Sequence, residues 1–190
     1  SFVAILRQVK DHRLPRDFDY HRLPAPWIQI QILKILAILC KDDRAMSEAT
    51  YETLKEVMTR ADIGINMGHA IVYECVTTIT SVYPNNMLLE NAATAISRFV
   101  TSSNHNLKYL GIRALTEIVK INPKYAEQHH MVVIDCLEDN DESLKRRVCI
   151  GLYIYGECLC IYGVKSYFNV FSSLLLYVYV DVCWYLFGWF

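Results

Sequence analysis

Apolar side chains recur along this chain at intervals of three and four residues, the spacing that gathers them on one face of an α-helix. The clearest run is Leu107, Leu110, Gly111, Ala114, Leu115, Ile118 and Val119, closed by Asn122-Pro123. Earlier stripes are Leu54, Val57, Met58 and Ala61, with Ser47 as the expected cap, and Ile71, Val72, Cys75, Val76, Ile79 and Val82, with Asn66 as the expected cap. Pro84-Asn85-Asn86 predicts a turn, followed by Leu88, Leu89, Ala92, Ile96, Phe99 and Val100. A further stripe runs Ala126, His130, Val133, Ile134 and Leu137. Residues 2–10 read as a short helix before a loop containing Pro15, and Pro24-Ala25-Pro26 presets the next helix start. Trp27 to Cys40 is almost continuously apolar, which predicts a helix buried on most of its circumference. That run is shorter than the ~20 residues needed to span a bilayer. Sustained period-two alternation is missing before residue 150. The expected fold class is all-α.

Short polar connections predict antiparallel helix pairs. Asn104-His105-Asn106-Leu107-Lys108 is echoed by Asp141-Glu142-Ser143-Leu144-Lys145, with Leu and Lys displaced by 37 residues, and a weaker third copy begins at Asn66. That period falls just below the ~40–47 residues of HEAT and armadillo units. The expected architecture is therefore an α-α superhelix, a HEAT/armadillo-like solenoid of stacked helix pairs.

Composition divides the chain. Residues 1–147 hold 18 basic and 18 acidic side chains, whereas residues 148–190 hold only Glu157, Lys165 and Asp181 yet carry 13 of the 23 aromatics. A formal net charge of −1 argues against a general electrostatic footprint for nucleic acid. Ser1 is not followed by the charged and apolar regions of a secretory leader. Seven cysteines without a spaced framework fit a reducing compartment.

Candidate chemistry is sparse. His129, His130 and Cys136 invite a metal reading, but adjacent histidines diverge by ~100° around a helix and no second cysteine is spaced to join them. Asp139-Asn140-Asp141-Glu142 lacks the glycine and distal glutamate of a calcium loop, and reads as an acidic turn capping the next helix. Cys158 and Cys160 have the wrong spacing for a zinc or redox pair. Phosphate loop, nucleophile elbow and HExxH motifs are missing, so the expectation is neither catalysis nor cofactor. Lys108, Arg113, Lys120, Lys145, Arg146 and Arg147 could form a basic ridge for anionic lipid or a partner, against the simpler reading of a solvated face. Leu110, Leu115 and Ile118 are the expected structural core.

Specific strings then carry a resemblance. Residues 24–36 (PAPWIQIQILKIL), 70–76 (AIVYECV), 106–111 (NLKYLG) and 133–139 (VIDCLED), running on to Leu144-Lys145-Arg146-Arg147, resemble large adaptin subunits of vesicle-coat adaptors in order and spacing. Within that family, Tyr20 to Pro26 and Glu127-Gln128-His129 look closest to the epsilon class of the fourth adaptor complex. The resemblance implies a trunk segment that scaffolds a second large, a medium and a small subunit. It also implies recruitment by an Arf-type small GTPase to the cytoplasmic face of the trans-Golgi network, as a peripheral membrane protein that sorts cargo. No GTPase- or cargo-contact residues carry over. After Arg147 the family pattern stops, and residues 148–190 are expected to be unrelated to it, as translated intron or as a membrane anchor at 168–190. The anchor would bury Asp181 at a cost of roughly 3 kcal/mol. A stand-alone helical-repeat protein with that anchor is the rival reading.

Overall fold

The computed structural model describes residues 1–136, 139–148 and 151, with the backbone alone at His130 and Ile134. Among them lie α1 (Phe2–Lys10), a 3-10 turn (Arg16–Phe18), α2 (Pro26–Leu39), α3 (Arg44–Ala61), α4 (Asn66–Ser81), α5 (Asn86–Val100), α6 (His105–Ile121) and α7 (Lys124–Asp135), then α8 (142–148). The described residues contain no strand; a lone bridge joins Tyr20 to Leu23. The aromatic tail and the expectations placed on it, including the cysteine pair Cys158 and Cys160, lie outside the described residues, as does Leu137. The chain divides into one unit of Ser1–Arg98 and a second beginning at Phe99.

In the first unit α1 packs on α2 and α3, while α4 packs on α3 and α2. First helices thus stack on first helices (α1 on α3) and second on second (α2 on α4), the neighbour pattern of stacked hairpins. Leu33, Leu36, Leu54, Ile71, Cys75, Val76 and Ile79 are at most 2% exposed and form the apolar seam. Each such side chain contributes about 1.5–3 kcal/mol by leaving water. Gly68 permits the close approach of α4 to the end of α3, since a Cβ there would collide with the Ala61 carbonyl oxygen.

Three sequence expectations need correction. Ser47 does not cap α3: Asp43 does, its carboxylate accepting from the Met46 amide at 3.0 Å, and Ser47 lies buried in the first turn. Asn66 is not a cap either. Ile65 precedes α4 in extended conformation without a side-chain cap, because the turn at Gly64 (φ +78°) delivers Asn66 already helical. Nor is α2 buried on most of its circumference. Gln29, Ile32, Leu33 and Leu36 face inward, whereas Trp27 is 55% and Ile38 74% exposed. Gln29 goes inside because its amide donates to the Pro24 carbonyl at 2.6 Å.

In the second unit α6 packs on α7. Gly111 lets α6 meet the end of α5: a Cβ would lie 2.8 Å from Val100 Cγ2 and 2.9 Å from the Val100 amide nitrogen. Leu115 (1%) and Ile118 (0%) are buried, while Leu110 is only partly so. Leu110 stands at the edge of the stripe, one turn from the helix start. The repeat echo has a structural counterpart. Asn104 Oδ1 accepts from the Asn106 and Leu107 amides (2.9 and 3.3 Å), and Asp141 Oδ1 accepts from those of Ser143 and Leu144 (2.8 and 3.2 Å). Both residues satisfy amides that a helix start leaves unpaired. The third copy at Asn66 lacks this geometry.

Candidate functional site

Polar side chains tie the helices together at a few junctions, and these are the structured polar features of the described chain. The first centres on Tyr83, in the turn after α4. Its amide donates to Ser47 Oγ at 3.1 Å, and its carbonyl accepts from the Tyr51 hydroxyl at 2.7 Å. The Arg44 guanidinium lies 5.4 Å from the Tyr83 ring centroid, within cation–π range. Ser47 also reaches the carbonyls of Cys40 (3.0 Å) and Asp43 (2.7 Å), so one hydroxyl joins the end of α2, the start of α3 and the α4–α5 turn.

A second junction fastens α1 to α3. Arg7 donates to Thr53 Oγ1 at 2.9 Å, and Arg60 donates to the Lys10 carbonyl at 2.6 Å and to Asp11 at 3.2 Å. Lys10 is 8% exposed and pairs with Asp11 at 2.8 Å and with Glu56. Hydrogen bonds donated to these two carboxylates raise its pKa, and Lys10 in turn lowers theirs. Between α2 and α4, Thr78 Oγ1 reaches the Leu33 carbonyl at 3.1 Å.

The loop between α1 and α2 is strained. His12, His21, Arg22 and Ala25 have φ of 55°, 46°, 71° and 38°, in the left-handed region that costs non-glycine residues about 1–3 kcal/mol each. Reciprocal hydrogen bonds of 2.9 Å between Tyr20 and Leu23 hold the turn, and the Tyr20 and Trp27 rings meet edge-on at 5.4 Å. The loop closes a cavity of about 340 Å³ against α1 and α3.

In the second unit Asp139 accepts from Lys108 Nζ at 2.7 Å and from the Asp141 amide at 3.1 Å, and lies 3.1 Å from His105 Nδ1. The Lys108 bond and the Asp141 amide hold the carboxyl below the usual carboxylate range. Asp139 thus ties the start of α6 to the turn before α8, where the sequence suggested only an acidic cap.

The six basic ridge residues are not alike. Lys108 is taken by Asp139, Lys120 pairs with Glu117 at 2.9 Å and Lys145 with Glu142 at 3.1 Å. Arg113 and Arg146 are exposed and make no ion pair among the described residues, and Arg147 is partly buried with its Nε unpartnered. His129 is partly buried, which lowers its pKa. Cys136 is buried beside Lys108 and Asp139, and burial raises its thiol pKa, as it does for Cys40 and Cys75. The His130 side chain lies outside the described residues. Among those described, no group of three metal-ligating side chains converges and no helix is long and apolar enough to cross a membrane.

The model of the adaptin N-terminal region matches residues 2–152. The chain belongs to the adaptin family. It is 50% identical over 153 residues to the AP-4 complex subunit epsilon of Arabidopsis thaliana, covering 80% of this chain and 16% of that protein. Against the human AP-4 complex subunit epsilon-1 it is 48% identical, covering 80% and 14%. The AP-1 complex subunit gamma of Dictyostelium discoideum is more distant, at 30% identity covering 80% and 17%. This adaptin chain therefore spans less than one-fifth of the length of these curated relatives. Membership places it in the all-α superhelical class, in keeping with the hairpin stacking of the first unit.

Proposed function

We propose that this adaptin segment is a scaffold element of a heterotetrameric coat adaptor, serving intracellular protein transport and cargo sorting at the trans-Golgi network. The observation carrying this reading is the 50% identity, across 80% of the chain, to a protein named as an AP-4 epsilon subunit. The role is geometric rather than catalytic: helix pairs cross-tied at Ser47, Lys10 and Asp139 keep a fixed spacing, and partner subunits dock on that frame. Many weak contacts then add on one membrane. The partners under this reading are a second large, a medium and a small subunit, with an Arf-type small GTPase recruiting the assembly to the membrane surface. Arg113, Arg146 and Arg147 are the ridge cations left for anionic lipid, each adding about 1 kcal/mol near such a surface.

Affinity purification of the tagged gene product tests the scaffold reading. Co-recovery of medium and small adaptin-type subunits is the expected result. A membrane-bound chain recovered without any of them would favour the stand-alone helical-repeat protein and defeat the adaptor reading. On this proposal residues 148–190 leave the adaptin pattern, although the family match reaches the first five of them; a continuous spliced message across the Arg147 codon would defeat their origin as intron.

A further inference from the structure

Tyr20, in the loop before α2, and Trp27, in the first turn of that helix, are exposed aromatics (40% and 55%). Their rings meet at 5.4 Å with 69° between the planes, which makes an open corner. The corner is held in place: Tyr20 also packs edge-on against His21 at 4.4 Å, and its backbone is bonded both ways to Leu23 at 2.9 Å. Rigid aromatic side chains lose little freedom on contact, which suits them as anchors. Their polar tips are unused, since the Tyr20 hydroxyl and Trp27 Nε1 make no hydrogen bond among the described residues. Two flat apolar faces at an angle, each with a free donor, match a polyproline II helix. Its prolines offer flat rings, its carbonyls have no internal partner, and its backbone is already ordered.

Charge narrows the partner further. Arg13, Arg16 and Arg22 of the same loop are exposed and make no ion pair among the described residues. Of the loop's carboxylates, Asp11 is engaged by Lys10 and Arg60, and Asp19 lies 3.5 Å from His12, which leaves Asp17 against three arginines. That surplus of positive charge complements an acidic partner.

We propose that the corner of Tyr20 and Trp27 docks a proline-rich peptide that carries acidic residues. A proline seats against the two rings, the Tyr20 hydroxyl and Trp27 Nε1 donate to peptide carbonyls, and the loop's arginines meet the acids. The site is independent of the scaffold reading, since binding requires no other subunit.

Fluorescence anisotropy tests it, with a labelled proline-rich peptide ending in two glutamates titrated by the full chain. The expected result is saturable binding that weakens as salt is added. Trp27→Ala should weaken it at least about tenfold, as loss of an aromatic anchor does. Because that variant also removes a ring contact within the chain, Tyr20→Phe is the second: it keeps the ring, deletes only the hydroxyl, and should weaken binding about threefold. Lys55→Gln, exposed on α3, should bind as wild type. The same peptide with glutamines in place of its glutamates should bind several-fold more weakly. Absence of binding, a Trp27→Ala chain that binds as wild type, or equal affinity for the glutamine peptide overturns the proposal. Self-association through Trp27 that the peptide does not reverse would give the corner to a second copy, and overturns it as well.

Discussion

Replacing Ser47 with alanine separates a helix cap from a three-way junction. The hydroxyl has one proton and two carbonyls within reach, but neither carbonyl depends on it: Cys40 also accepts from the Asp43 amide at 3.3 Å, and Asp43 from the Ser47 amide at 3.0 Å. The group left unpaired is the Tyr83 amide, which has Ser47 Oγ as its partner. An orphaned, part-buried donor costs about 1–3 kcal/mol, and alanine returns roughly 0.5 kcal/mol of helix propensity. The expected net loss is about 1–2 kcal/mol, read as a lower urea midpoint by circular dichroism with unchanged slope. Loss of a cap would cost a similar amount, so the amount alone does not decide. Hydrogen exchange does, because the junction predicts lost protection at Tyr83, at the far end of α4, with the α3 amides unaffected. Asp43→Ala, which removes the actual cap, should cost about 1 kcal/mol and leave Tyr83 protection unchanged. A Ser47→Ala chain that keeps both its midpoint and Tyr83 protection would refute the junction.

Other substitutions test the remaining contacts. Gly68→Ala gains about 1 kcal/mol of helix propensity but drives a methyl into the Ala61 carbonyl, so a net loss of about 1–2 kcal/mol is expected by denaturation; greater stability would show that α4 can move away. Ile118→Ala and Leu115→Ala should each cost about 2–5 kcal/mol, and Leu110→Ala less, in keeping with its partial exposure. Asp139→Asn should lower the melting temperature at neutral pH. Its carboxyl is held below the ordinary range in the folded chain, so its stabilisation is complete above the unfolded pKa and disappears as pH falls through the folded one. Wild type should therefore lose its advantage over Asp139→Asn in acid, and a gap independent of pH would contradict the ion pair. Glu74 has the opposite sign: burial raises its pKa, with Lys34 lowering it in part, so Glu74→Gln should melt higher at neutral pH and equally near pH 4.

What could be read from sequence follows from how many segments a contact needs. An apolar stripe is set by one helix, and the stripes of α3, α4 and α5 are buried as their spacing predicts. The cap expected of the acidic turn 139–142 is just as local: Asp141, like Asn104 in the echo, meets amides two and three residues away. Ser47 could not be placed this way. Asp43 and Ser47 are both acceptable caps four residues apart, and Tyr83, which decides between them, is 36 residues downstream. In α2 the composition conveys hydrophobicity without direction: the packing of α1 and α4 chooses a side, and an inward Gln29 needs the Pro24 carbonyl to satisfy it. The Asp139 tie also spans two segments, yet its partner Lys108 ends the first half of the internal echo and Asp139 stands just before the second. The strings that carry the adaptin resemblance hold both ends of one such two-segment contact, Lys108 with Asp139. A family likeness thus reaches polar ties that periodicity cannot, because each tie constrains two distant strings at once while a stripe constrains only hydrophobicity along one.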